Sequence, residues 1–237
     1  MRRGGCMVWG LGIVVLVAGL GWLIYRPSTY RYKMTVEVDT PAGPRTGSVV
    51  REVKWIPTIP LLGDSKFSFK QRGEAVAVDL PGGEVVFVLL QADGYETIRA
   101  GFGQGREFDV KKLLDEAQAD HRVYDYPTLA VAQAHNLSFP AFVKFHDISD
   151  PTTIFAVDHT DLGDGAALKR ITMQATAEPV TNTIHRRLPW LPKYYNKQFS
   201  GDRFQSMKNK HKGLSARITS GAFSAGQGLS PSGKGIF

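Results

Sequence analysis

Residues 4–25 carry no charged side chain, and just past them the hydrophobic pattern changes from continuous to alternating. As a helix rising about 1.5 Å per residue, such a run reaches roughly 33 Å, enough to cross a hydrocarbon core of about 30 Å. Arg2 and Arg3 precede it and Arg26 and Pro27 close it, so the pattern predicts an N-terminal transmembrane helix within residues 1–27. A secretory signal shares the basic start, but its apolar part is usually about 7–15 residues long and ends at a small-x-small cleavage site. Here the run continues through Trp22, Leu23, Ile24 and Tyr25, so an uncleaved single-pass anchor is the expectation. Cys6 stands before the run instead of after it, which argues against lipoprotein processing. Positive residues nearly balance across the span. A short cytoplasmic stub with the rest of the chain exported across an inner membrane is the preferred topology, the soluble part being periplasmic or otherwise extracytoplasmic.

From Tyr30 the period is two. Tyr30, Tyr32, Met34, Val36 and Val38 alternate with Arg31, Lys33, Thr35, Glu37 and Asp39, the signature of a strand with one buried face. A Pro- and Gly-rich break at residues 40–44 leads to a second strand over residues 47–56, with Val49, Val53 and Trp55 on one side, and the two pair as a hairpin. A second hairpin is marked by Val76, Val78 and Leu80, the turn Pro81-Gly82-Gly83, and an apolar run over residues 85–90 that belongs in the middle of a sheet. Phe67 and Phe69 suggest an edge strand, and residues 95–102 another. One short helix is expected after Asp109, where Val110, Leu113, Leu114 and Ala117 fall at helical spacing behind a capping carboxylate. Residues 127–138 suit either a short strand or a helical turn. Further strands are predicted at residues 139–145, 153–157 and 167–176. Together these elements predict a mainly β fold, an antiparallel two-sheet sandwich over residues 28–180, because a parallel sheet would need more helices.

Composition changes this picture in two places. The chain has 237 residues and a formal charge of +7, yet residues 179–237 hold ten Lys and Arg against the single Asp202. From residue 200 onward Gly, Ser and Lys dominate, so residues 181–237 are expected to form a basic, largely disordered extension. Its charges, interleaved with Trp190, Tyr194, Tyr195, Phe199 and Phe204, suit an anionic surface such as lipid headgroups or nucleic acid. The only cysteine, Cys6, is outside the soluble part, which therefore has neither an internal disulfide nor a thiolate metal site.

Candidate chemistry is sparse. Residues 228–235 approach a phosphate-binding loop but place Gly235 where Ser or Thr is needed, and no helix follows. Gly101, Gly103 and Gly105 lack the spacing of a dinucleotide fingerprint. His146, Asp147, Asp150, Asp158, His159, Asp161 and Asp164 fall within residues 146–164 and would supply the ligands or acid-base groups of a metal-dependent hydrolase. Their spacing matches neither a calcium loop nor a two-His zinc helix, so turn-forming carboxylates and solvated imidazoles are the expected role. No catalytic, cofactor-binding or metal-binding residue is assigned from the sequence.

The stretches YRYKMTVEVDTPAG, FVKFHDISDPTT, LKRITMQATAEPVT and LPWL, in that order behind an N-terminal apolar span, resemble a group of bacterial single-span membrane proteins of the same layout. The resemblance covers about residues 30–223 and implies an envelope setting, but it carries no activity and no site residues. The function expected is a membrane-anchored, non-enzymatic binding or scaffolding module. The alternatives are the hydrolase above, or a cytoplasm-facing protein whose basic C-terminal segment binds lipid or nucleic acid.

Overall fold

The computed structural model describes residues 26–58, 67–90, 94–103, 109–195, 197–201, 214–216 and 218–226. The predicted membrane span over residues 4–25 lies outside them, and no helix of the described residues is long and apolar enough to cross a membrane.

Two antiparallel sheets dominate. The first strands, β1 (Ser28–Asp39) and β2 (Arg45–Pro57), form the predicted hairpin with Ser28 opposite Trp55 and Val38 opposite Arg45. β3 (Phe67–Glu74) pairs with the far half of β2, and the chain then crosses to the second sheet as β4 (Val76–Asp79) and β5 (Val85–Val88), joined by Pro81-Gly82-Gly83. β6 (Val123–Asp125) lies at an edge of the first sheet, while β7 (Phe142–Phe145) and β8 (Ile154–Val157) complete the second. β9 (Ala167–Ala175) returns to pair with β1, and the short β10 (Ser224–Ala225) caps β3. The orders are β10-β3-β2-β1-β9-β6 and β4-β5-β7-β8. β5 is central and buried, as its uninterrupted apolar run requires.

The principal core lies where the sheets face each other. Tyr32, Met34, Val36 and Val53 of the first sheet meet Val76, Val78, Val86 and Val88 of the second. This is the sandwich that alternation implies, and β1 buries every second side chain toward the second sheet. At one site the packing leaves no room for a side chain: a Cβ on Gly47 of β2 would collide with the Ala77 carbonyl of β4.

The helices depart from the expectation of one. The described residues contain four α-helical segments: α1 (Gly94–Gly101), α2 (Val110–Asp120), α3 (Leu129–Ala134) and α4 (Ile184–Arg187). α2 is the one foreseen, with the Asp109 carboxylate accepting from the Lys111 amide at 2.9 Å and Val110, Leu113, Leu114 and Ala117 buried. α1 replaces the strand expected over residues 95–102. Ile98 and Phe102 lie four residues apart and both enter the principal core, a helical spacing that outweighs the local alternation. α3 resolves the ambiguous segment as a helical turn capped by Thr128.

The expected extension from residue 181 is corrected more deeply. Residues 184–201 and 218–226 form a second core on the outer side of the second sheet. Leu188, Trp190, Leu191, Phe199 and Phe223 bury there against Phe87, Leu89, Val143 and Ile154. The aromatic rings pack edge-on, Trp190 against Phe199 at 5.0 Å and Phe87 against Phe223 at 5.6 Å between centroids. Prolines and basic residues mask this apolar spacing in the sequence, but a sheet hydrophobic on both faces has to be covered on both. Residues 202–213 and 227–237 lie outside the described residues.

Candidate functional site

The strand-turn elements after β7 place the Asp and His residues singled out by sequence, and four of the five carboxylates, Asp147, Asp150, Asp158 and Asp161, are engaged by their own turns. Asp147 Oδ1 accepts from the Ser149 amide and hydroxyl at 2.9 and 2.6 Å, and Asp150 Oδ1 accepts from the Thr152 amide and hydroxyl at 2.9 and 2.7 Å. Asp158 does the same with Thr160 at 2.8 and 2.7 Å, and Asp161 Oδ1 accepts from the Gly163 amide at 3.1 Å. These are side-chain-to-backbone turns, the usual work of Asp followed two residues later by Ser, Thr or Gly. The Ser149 hydroxyl holds Asp147 below the usual carboxylate range, and the Thr160 amide does so for Asp158.

The two imidazoles are also occupied. His146 stacks on Phe155 with centroids 4.2 Å apart, while His159 packs against Phe139 and holds Nδ1 3.3 Å from Asp158. Asp164 sits at a left-handed turn position with φ of 51°. Among the described residues no group of three or more His, Cys, Asp or Glu is arranged to hold a metal ion. The structure thus commits Asp147, Asp150, Asp158 and Asp161 to their own turns, packs the two imidazoles against aromatic rings, and sets the Asp158 carboxylate beside the His159 ring.

Sequence reasoning missed three buried polar side chains. Lys144, expected on a polar face, is 5% exposed; its ammonium pairs with Glu84 and donates to the Leu162 carbonyl at 3.1 Å. Glu74 is 1% exposed, and its carboxylate accepts from the Thr183 amide at 2.7 Å, the Thr183 hydroxyl at 2.8 Å and the Ile184 amide at 2.9 Å. Arg51 lies on the inner face of β2, opposite Tyr32, with Nε donating to the Glu74 carbonyl at 3.0 Å. Its Nη2, the Tyr32 hydroxyl and the Gln71 side-chain nitrogen are buried without hydrogen-bond partners. The signal for Arg51 was available: it shares strand parity with Val49 and Val53, and so points inward with them.

The surface that remains open is the outer face of the first sheet. β1 presents Thr29, Arg31 and half-buried Lys33 there, β2 presents exposed Ser48 and Lys54 with Val50 and Glu52 buried between them, and β3 presents Ser68, Lys70 and Arg72. Its charges form cross-strand pairs: Arg31 to Glu52 at 2.8 Å, Arg72 to Glu52 at 3.4 Å, and farther along Arg170 to Glu37 at 2.7 Å and Lys169 to Asp39 at 3.2 Å. No family model matches this chain, and no curated protein or solved structure is detectably similar to it.

The aromatics of the basic C-terminal segment are placed differently from what a lipid- or nucleic-acid-binding tail would need. Trp190, Tyr194 and Phe199 turn into the second core, and the Trp190 indole donates to the Ile148 carbonyl at 2.7 Å. Arg187 forms a two-point pair with Asp79 at 2.5 and 2.8 Å. His185, Arg186 and Lys193 remain exposed.

Proposed function

We propose that the protein is a membrane-tethered, non-enzymatic binding or scaffolding module of a bacterial envelope, with the outer face of its six-stranded sheet as the working surface. One observation carries this reading: the uncharged run of residues 4–25 stops three residues before β1, the strand whose polar edge starts that open face. A span ending so close to a strand keeps that end of the sheet within the reach of a few residues of the bilayer. The layout of the sequence and the lone Cys6 support an exported domain, and the turn-committed carboxylates of residues 146–164 give a hydrolase no assembled site.

Extraction and reporter fusion test this. The full chain should stay with the membrane pellet after alkaline carbonate treatment, and an alkaline phosphatase fused after residue 237 should be active. Recovery of the intact chain in the soluble fraction would overturn the tether. A photo-crosslinker at Ser48, on the open face, should give discrete adducts that the same probe at inward-facing Val36 does not. Equal labelling from both positions would remove the assigned surface.

A further inference from the structure

The charge on the open face is distributed unevenly along the strands. At the end far from the apolar run, cations and carboxylates close into pairs, Glu37 with Arg170 and Asp39 with Lys169. At the near end, Lys54 and Lys70 stand directly opposite each other on β2 and β3, on the same rung as Thr29 of β1. Both side chains are exposed, and among the described residues neither has an ion-pair partner. Like charges facing each other across a strand pair are unfavourable unless something neutralises them. The next rung adds Arg31 and Arg72, which share the single carboxylate of Glu52.

Position says what that neutralising group is. Three residues, Arg26, Pro27 and Ser28, separate Tyr25 from Thr29. Even fully extended, that stretch reaches about 14 Å, and two strand spacings of about 5 Å add the rest, so the lysine pair stays within about 24 Å, roughly three Debye lengths, of the end of the apolar run at physiological salt. On the opposite side of the same rungs Trp55, Phe67, Phe69 and Tyr95 form a half-buried aromatic group, with Phe67 and Tyr95 stacked at 6.0 Å. Rings of this kind are favoured at the headgroup level of a bilayer.

We propose that the Lys54–Lys70 rung, flanked by Arg31 and Arg72, binds the phosphate groups of anionic phospholipids, so that the sheet leans its near end on the membrane surface. The proposal rests on the tethered reading above. Two lysine ammonium groups side by side present up to six donors to phosphate oxygens, and attraction to an anionic leaflet is expected to change about fivefold for each basic residue removed.

The test uses the full chain, with Cys6→Ser, reconstituted into lipid nanodiscs. A fluorescent probe is placed either at Ser68→Cys, on the near rungs, or at Thr46→Cys, on the far end, and headgroup spin-labelled lipid serves as quencher. With about one-third phosphatidylglycerol the probe at 68 should be quenched well above the probe at 46. Lys54→Gln with Lys70→Gln should abolish the difference, Lys54→Arg with Lys70→Arg should keep it, and 0.5 M salt should weaken it. Equal quenching at 68 and 46 in protein that co-elutes with the discs would overturn the lipid contact while leaving the tether intact. Failure of the chain to enter the discs at all would overturn both.

Discussion

Glu74 is the residue whose replacement most sharply tests how the second core is held. Its carboxylate is fully buried and receives two backbone amides and a hydroxyl from Thr183 and Ile184, fastening the start of α4 to the end of β3. Hydrogen bonds to a charged group contribute roughly 1.5–3 kcal/mol each, and an amide left buried and unpaired costs about 1–3 kcal/mol. Removing the carboxylate also removes its own desolvation cost, so the terms do not simply add. For Glu74→Ala we expect a net loss of about 3–5 kcal/mol, and for Glu74→Gln, which keeps one acceptor oxygen, a smaller loss of about 1–3 kcal/mol. In a domain of this size the alanine variant should melt roughly 10 °C lower. The loss should also be local. In hydrogen exchange the amides of Leu188 and Phe199, bonded to Ile184 and Ile218, should lose protection well before those of the β1–β2 ladder. A melting point within about 2 °C of the parent, with residues 184–199 still protected, would refute the idea that Glu74 fastens this segment.

Three other expectations follow from the same packing. Gly47→Val should cost more than about 2 kcal/mol in chemical denaturation, because the Ala77 carbonyl occupies the space of the new side chain. Burial pushes the Tyr32 phenol up from its ordinary value of 10.0, an effect that the nearby Arg51 charge partly opposes. The neutral phenol is the form the fold favours, so that stability is intact below the ordinary value and is lost as pH rises through the higher folded value. Phenolate absorbance should therefore show one tyrosine ionising only with alkaline unfolding, and Tyr32→Phe, which deletes an unpaired hydroxyl, should cost under about 1 kcal/mol and remove that late step. The Arg187 hydrogen bonds hold Asp79 below its usual value of 3.8, so its contribution is present above that pH and fades as pH falls through the lower folded value. Because the pair is solvent-exposed, Asp79→Asn should cost less than about 1 kcal/mol at neutral pH and should flatten the acid limb of the stability curve.

The sequence was most legible where one face of a strand meets water. In β1 the alternation is nearly unbroken, and β4 and β5 are joined by a turn whose glycines need positive φ. It was least legible where both faces are covered or where helices are short. α1 packs Ile98 and Ala100 inward over barely two turns, too few to establish a period against the competing alternation. The C-terminal segment was misread because its apolar residues are spaced by Pro, Lys and Arg, so no periodicity reports that they converge on Phe87 and Val143. Lys144 and Arg51 were hidden by residue type, since a charged side chain is read as outward unless its strand parity is followed. Asp147, Asp150 and Asp158 were legible as turn formers, because Asp-x-Ser/Thr spacing has a local mechanism, whereas the imidazoles, expected to be solvated, pack against Phe139 and Phe155, contacts that no local spacing reports. The open face and its unpaired lysines could not be seen before the register set Lys54 beside Lys70.

The place of β1 between β2 and β9 has a consequence for biogenesis. The strand made first is the middle of its sheet, yet one of its two neighbours is synthesised some 130 residues later, and β3 waits still longer for β10. Contacts so distant along the chain make for slow closure, and the nascent protein has to travel most of its length as an incomplete hairpin with bare edges. On the tethered reading proposed above, a leash holding that hairpin at the membrane would keep one copy apart from the next until the late strands arrive.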